Sequence, residues 1–148
     1  MLRTTITHPP LLAALGRAGH GSLVAICDAN FPFHTAAGPH AEVVYLNFSA
    51  GTVDVVTVAK AVADMLPIEE GIVMAPPADG PHADGGSPPV FADMAAAIGT
   101  DADGLTKVDR FAFYDLVRSL DTVVVIATGE QRLFGNVIIR VGVIPPPD

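Results

Sequence analysis

The stretch from Asp109 to Val143 reads DRFAFYDLVRSLDTVVVIATGEQRLFGNVIIRVGV, a helix pattern followed by two strand patterns. Asp109 is a favoured N-cap residue type, so a helix is expected from Arg110 to Leu120. Val123 to Ala127 and Val137 to Val143 are dominated by β-branched apolar residues and are the clearest strands of the chain. A polar loop, Thr128 to Asn136, separates them.

Upstream the same alternation recurs. Thr7 to Ala18 reads as a helix, because Pro9 and Pro10 suit a first turn, Leu11, Leu12 and Leu15 recur at helical spacing, and Gly19 is a stop. Leu23 to Cys27 is a short buried strand, Asp28 follows its end, and Phe31-Pro32 opens a loop to Gly38-Pro39. Val43 to Phe48 is a further β-type run. Thr52 to Leu66 places Val55, Val58, Ala59, Val62 and Leu66 on one helical face, although its valines favour strands. Gly71 to Ala75 reads as a strand, and Val90 to Ile98 as an Ala-rich helix ended by Gly99. Between them, Pro76 to Pro89 carries five prolines and three glycines and is expected to be an irregular surface loop. Such alternation predicts an α/β fold over residues 1–148, a single-domain layered α/β/α sandwich with a mixed sheet. The pattern does not encode the strand order.

The composition excludes several function classes. At 148 residues the chain suits one domain and can bury roughly 68–70% of its unfolded surface without a disulfide or metal staple. Eight Lys+Arg against 16 Asp+Glu leave a net charge of -8 and no basic run, which argues against nucleic acid or an anionic membrane as partner. Cys27 is the only cysteine, so the chain forms no internal disulfide, and a cytoplasmic location is expected. No signal peptide and no membrane-spanning run of ~20 apolar residues is read. Half of the residues are hydrophobic and only 16% are charged, a balance that points to subunit interfaces.

Generic motifs fail. Gly16, Gly19 and Gly21 stand in the wrong order for a dinucleotide fingerprint, and they precede a strand instead of following one. Neither a P-loop nor a nucleophile elbow is present. Asp101-Ala102-Asp103-Gly104 is a turn lacking the rest of a calcium loop. His20, His34 and His40 lie near Asp28 in sequence, but none of their spacings is a zinc spacing, so no metal site is assigned.

Polar residues at the ends of apolar segments are the candidates for chemistry. His20 sits between two glycines that let the backbone approach a ligand; its ordinary alternative is a histidine near helix carbonyls. Asp28 follows a strand and equally suits a turn. Arg110 opens a helix, against the dipole rule, which calls for a carboxylate or ligand partner; Asp109 is one option. Phe111, Phe113 and Tyr114 read mostly as helix core. Asn136 closes the loop through Phe134 and Gly135 and offers a donor and an acceptor to a hydroxyl, or forms an ordinary hairpin corner.

Five pieces of the sequence, in this order, resemble the fucose mutarotase and ribose pyranase family, closer to its fucose branch. They are Gly19-His20-Gly21, Asp28-Ala29-Asn30-Phe31-Pro32, Arg110-Phe111-Ala112-Phe113-Tyr114, Thr128-Gly129-Glu130, and Phe134-Gly135-Asn136 with Val137 to Val143. The resemblance implies interconversion of the anomers or ring forms of a free monosaccharide. It implies His20 as proton donor and sugar contacts from Asp28, Arg110, Phe134, Gly135 and Asn136. It also implies no cofactor and a ring-like homo-oligomer, a decamer, with sites near subunit contacts. The chain departs from the family pattern at Ser22, where an acidic residue is usual, and at Phe134, where tyrosine is frequent. Asn47-Phe48-Ser49-Ala50-Gly51 stands where the family carries Arg-Ala-Asp-Gly. Two alternatives use the same residues: a D-ribose pyranase, and a monosaccharide-binding protein without turnover. A purely structural ring-forming protein is a third.

Overall fold

The computed structural model describes residues 1–82 and 87–147. The described residues form five α-helices and six strands, and every expected helix and strand is among them: α1 Pro9–Leu15, β1 Leu23–Cys27, α2 Phe33–Ala36, β2 Glu42–Tyr45, α3 Val55–Ala63, β3 Ile68–Met74, α4 Val90–Ala97, β4 Thr106–Val108, α5 Arg110–Arg118, β5 Thr122–Ala127 and β6 Val137–Val141.

Local chemistry explains where the boundaries fall. Helix α1 starts at Pro9 because His8 caps it, Nδ1 accepting from the Leu11 N–H at 3.3 Å. It ends before Gly16, and residues 17 and 18 continue only as tighter turns. Helix α3 starts at Val55, later than Thr52, because Asp54 Oδ1 accepts from the Thr57 N–H at 2.7 Å. Asp109 caps α5 as expected, Oδ1 accepting from Phe111 and Ala112 at 2.8 and 3.0 Å. Two elements, α2 and β4, have no counterpart among the expected ones, being four and three residues long. Elements that short carry too few periods for a pattern to register. The expected loop over residues 76–89 has no regular structure at 76–82 and 87–88, and its residues 83–86 lie outside the described residues.

The sheet has the order β2-β5-β1-β6-β3-β4. Strands β1, β2 and β5 run parallel, as do β3 and β4, and β6 lies antiparallel between β1 and β3. The expected mixed sheet is therefore five parallel strands with one reversed strand among them. Side chains alternate across it. Val24, Ile26, Val124, Ile126, Val137 and Ile139 face a core closed by α1, α3 and α4. Leu23, Ala25, Cys27, Val125 and Ile138 face a second core closed by α2 and α5. Both faces are apolar because both are covered, which makes this an α/β/α sandwich.

The reversal of β6 has a geometric consequence for function. The carboxyl ends of the five parallel strands and the start of β6 all meet at one edge of the sheet, where α/β sheets commonly bind ligands. Asp28, Thr128, Asp109 and Asn136 lie there, whereas His20 and Val141 lie at the opposite edge.

Phe91 of α4 is fully buried in the first core. Phe91→Ala is expected to cost about 3–5 kcal/mol, read as a lower urea midpoint with the slope of the transition unchanged.

Candidate functional site

Asp28 and Asn136 form a reciprocal pair at the sheet edge. The Asp28 backbone N–H donates to Asn136 Oδ1 at 2.9 Å, and Asn136 Nδ2 donates to Asp28 Oδ2 at 2.7 Å. The other carboxylate oxygen, Oδ1, accepts from the Asn30 N–H at 3.0 Å. Both side chains are buried. Burial pushes the Asp28 carboxyl above its ordinary range, with the donors from Asn30 and Asn136 opposing and the Glu130 charge adding to the rise.

The loop from Thr128 to Asn136 is built to hold this pair. Thr128 Oγ1 donates to the Cys27 carbonyl at 2.8 Å, and the Ala29 N–H donates to the Glu130 carbonyl at 2.9 Å. Glu130 is buried and takes both arms of the Arg132 guanidinium, Nε to Oε1 at 2.9 Å and Nη2 to Oε2 at 2.8 Å. Arg132 reaches on to Asp93 at 2.7 Å, tying the loop to α4. Hydrogen bonds from Arg132 hold the Glu130 carboxyl below its usual value despite burial. Gly135 is required by space, since a Cβ there would come within 2.6 Å of Glu130 Cγ and 3.0 Å of the Arg132 carbonyl. Phe134 takes a left-handed backbone, φ 63°, a strained conformation for an aromatic residue that turns the chain into Asn136.

Around the pair lies a cleft of about 270 Å³ lined by Asp28, His82, Arg110, Tyr114, Phe134 and Asn136, among others. Arg110 does not pair with Asp109, which is occupied in capping α5. Its Nε donates to the Tyr114 hydroxyl at 3.2 Å, and its guanidinium lies 5.3 Å from that ring's centre. Tyr114 also meets Phe31 edge-on at 5.4 Å, so it packs on the second core and lines the cleft at the same time. The cleft thus combines a carboxylate, a cation, an amide and aromatic faces, a set suited to a neutral polyhydroxylated ring.

The structure brings Asp28, Arg110, Phe134, Gly135 and Asn136 to one edge and leaves His20 at the other. His20 is exposed, with Nε2 2.8 Å from Glu69 Oε2, and it is separated from Asp28 by the length of β1, roughly 20 Å. His40 Nδ1 lies 3.0 Å from the Leu120 carbonyl, away from the cleft. Among the described residues no three His, Cys, Asp or Glu side chains converge as a metal centre would need. Sequence reasoning missed His82, a lone histidine in a Pro/Gly-rich stretch, and Arg132, whose role depends on contacts across the fold.

Comparison with known proteins identifies the family. A model of the RbsD / FucU transport protein family matches residues 1–144. The chain belongs to that family. It is 32% identical to the fucose mutarotase of Danio rerio, over 97% of this chain and 94% of that one. It is 30% identical to the L-fucose mutarotase of Glaesserella parasuis, over 93% and 90% respectively. The crystal structure of FucU from Bifidobacterium longum superposes with a TM-score of 0.75 at 27% identity, covering 93% of this family member and 94% of the other chain.

The two carboxylates predict acid behaviour of opposite sign. Stability supplied by Glu130 is complete above about pH 4.3 and lost as pH falls through its depressed folded value. Asp28, raised in the fold, instead subtracts stability as pH rises from about 3.9 through its folded value. Glu130→Gln is expected to lower stability at neutral pH by about 1–3 kcal/mol. That deficit should shrink as pH falls below about 4, in urea unfolding curves collected across the range.

Proposed function

We propose that the protein is an aldose mutarotase, an isomerase that interconverts the anomers of a free monosaccharide, L-fucose first among them. The observation that carries this is the buried Asp28–Asn136 pair facing the cleft beside Arg110. It occurs in a chain aligned over nearly its whole length with relatives named fucose mutarotase.

Mutarotation opens the hemiacetal, rotates the C1–C2 bond and closes the ring on the other carbonyl face. On opening, the anomeric hydroxyl loses its proton as C1 becomes a carbonyl. The C1–O5 bond breaks, and its electron pair goes to the ring oxygen, which takes a proton. No redox change occurs, so correctly placed acids and bases suffice, each such group typically contributing 10²–10⁴-fold. Asp28 accepts hydrogen bonds from sugar hydroxyls, Arg110 donates to them, and the Asn136 amide orients the ring through the groups left after pairing with Asp28. Phe134 and Tyr114 pack on the sugar's apolar C–H face. Asp28, Arg110, Phe134, Gly135 and Asn136 are thus the proposed substrate contacts, and no cofactor is called for.

His20 is the proposed proton donor to the ring oxygen. Its distance from the cleft means that it acts on sugar held by a second copy of the chain. We therefore read the working form as a homo-oligomer with sites at subunit contacts, consistent with exposed Tyr45, Phe48, Phe111, Val143 and Ile144. The single buried cysteine supports a cytoplasmic setting.

Saturation-transfer NMR on L-fucose tests the activity. The protein is expected to speed exchange between the α and β signals well above the solvent rate, and more for L-fucose than for D-ribose. Binding without faster exchange would instead mark a sugar-binding protein, and a preference for D-ribose a pyranase. His20→Ala, with the fold intact, is expected to lose roughly 10²-fold of the acceleration. A wild-type rate in that variant removes His20 from the mechanism.

A further inference from the structure

Phe134 and Asn136 touch the sugar in the reading above, and a residue that does not line the cleft holds both in place. We infer that Arg132 is a positioning residue for sugar recognition, holding Glu130 and Asp93 so that the Phe134-Gly135-Asn136 turn stays set and the Glu130 charge stays off Asp28. The inference rests on the reading of the cleft as the sugar site.

Arg132 grips the turn from both its backbone and its side chain. Its carbonyl accepts from the Gly135 N–H at 3.3 Å. Its guanidinium forks onto Glu130, Nε to Oε1 at 2.9 Å and Nη2 to Oε2 at 2.8 Å. Nη1 reaches Asp93 Oδ2 on α4 at 2.7 Å, which anchors the fork to a helix of the first core. Phe134 stands inside these grips in its left-handed conformation, φ 63°. Such a backbone persists at an aromatic residue only where the surroundings over-determine it. Two residues on, Asn136 makes its pair with Asp28. A turn released from Glu130 and α4 relaxes, and the Asn136 amide loses its fixed pose toward the cleft.

Charge adds a second constraint. A Cβ on Gly135 would lie 2.6 Å from Glu130 Cγ and 3.5 Å from Asp28 Cβ, so the two acidic side chains flank one glycine. The Glu130 side chain is 5% exposed, and its charge adds to the proton affinity of Asp28. Arg132 is the cation paired with Glu130, and its removal leaves a buried charge uncompensated beside Asp28. The other titratable groups near Asp28 are Arg110 and Tyr114 of α5, His82 after β3 and the Cys27 thiol of β1. Glu130 meets the Arg132 guanidinium and the N–H groups of Arg132 and Val55. An Asp28 that gains a proton gives up acceptor capacity for a sugar hydroxyl. The two tasks of Arg132 are separable: any cation at this position offsets the Glu130 charge, whereas the two-sided grip needs the planar fork.

The experiment compares the full chain with Arg132→Gln and Arg132→Lys. Carbon NMR follows the Asp28 carboxyl across pH in the sugar-free protein, amide shifts give L-fucose affinity, and exchange NMR gives the anomerisation rate at limiting and saturating sugar. The Arg132 side chain is 43% exposed and its own N–H still donates to Glu130 in both variants, so both cores stay closed. In Arg132→Gln, Asp28 is expected to take up its proton at higher pH than in the wild type. The dissociation constant for L-fucose rises roughly tenfold at neutral pH, and the loss deepens on acidification. Exchange at limiting sugar falls by the same factor, whereas the rate at saturating sugar stays within about twofold. Arg132→Lys returns the Asp28 titration to its wild-type position and recovers only part of the affinity. An unmoved Asp28 titration in Arg132→Gln overturns the inference, because a role confined to stability leaves that titration where it was. Full affinity in Arg132→Lys overturns the two-sided grip, and that variant decides alone if Arg132→Gln does not fold. If the wild type does not bind L-fucose, the sugar-site reading falls and takes the inference with it. Wild-type binding that Arg132→Gln matches removes Arg132 alone.

Discussion

The reciprocal pair between Asp28 and Asn136 joins residues 108 positions apart, and the geometry of the site follows from it. It forms because β6 runs against β1, so the end of one strand meets the beginning of the other. Had β6 been parallel, Asn136 would lie at the His20 edge and the pair would not exist. The carboxylate is buried at a cost that its donors offset only in part, which is why its proton affinity rises. A carboxylate held in that state is a strong hydrogen-bond acceptor for a ligand that brings its own hydroxyl donors.

Beneath the pair, a second carboxylate does structural work with the opposite electrostatics. Glu130 is neutralised by Arg132 and bonded at both oxygens, so it stays charged at low cost. It fixes the loop that places Phe134 in its strained turn and brings Gly135 against the Glu130 side chain. Gly129 serves the same end. A Cβ there would come within 2.4 Å of the carbonyls of Ser49 and Thr52, so only glycine lets that segment pack on the loop. The departure from the family pattern at residues 47–51 therefore lies against the loop that carries half of the site.

How much of this was legible depended on the range of the interaction. Alternating helix and strand patterns, the Asp109 cap and the β-branched runs are local, and the structure reproduces them with ends shifted by caps such as His8 and Asp54. Elements of three or four residues, α2 and β4, fall below the length at which periodicity can be read. Arg110 was flagged by a local conflict with the helix dipole, but its partner proved to be Tyr114, one turn along the same helix, rather than Asp109. Tyr114 has the pattern of a core residue and does pack on the second core against Phe31, but it is only partly buried and also lines the cleft. His82 and Arg132 gave no sequence signal, since each owes its place to neighbours brought in from elsewhere in the chain.

By itself the sequence determined the α/β class, the two-sided burial of the sheet and the residues with polar chemistry at strand ends, because these depend on composition and on periods of two and 3.6 residues. Only the tertiary structure decided which of those ends meet. The reversed β6 brings Phe134 and Asn136 to the edge where β1 and β4 deliver Asp28 and Arg110, while His20 stays at the other end of β1. Strand direction within a sheet is set by long-range packing and chain connection, and no local run of residues encodes it.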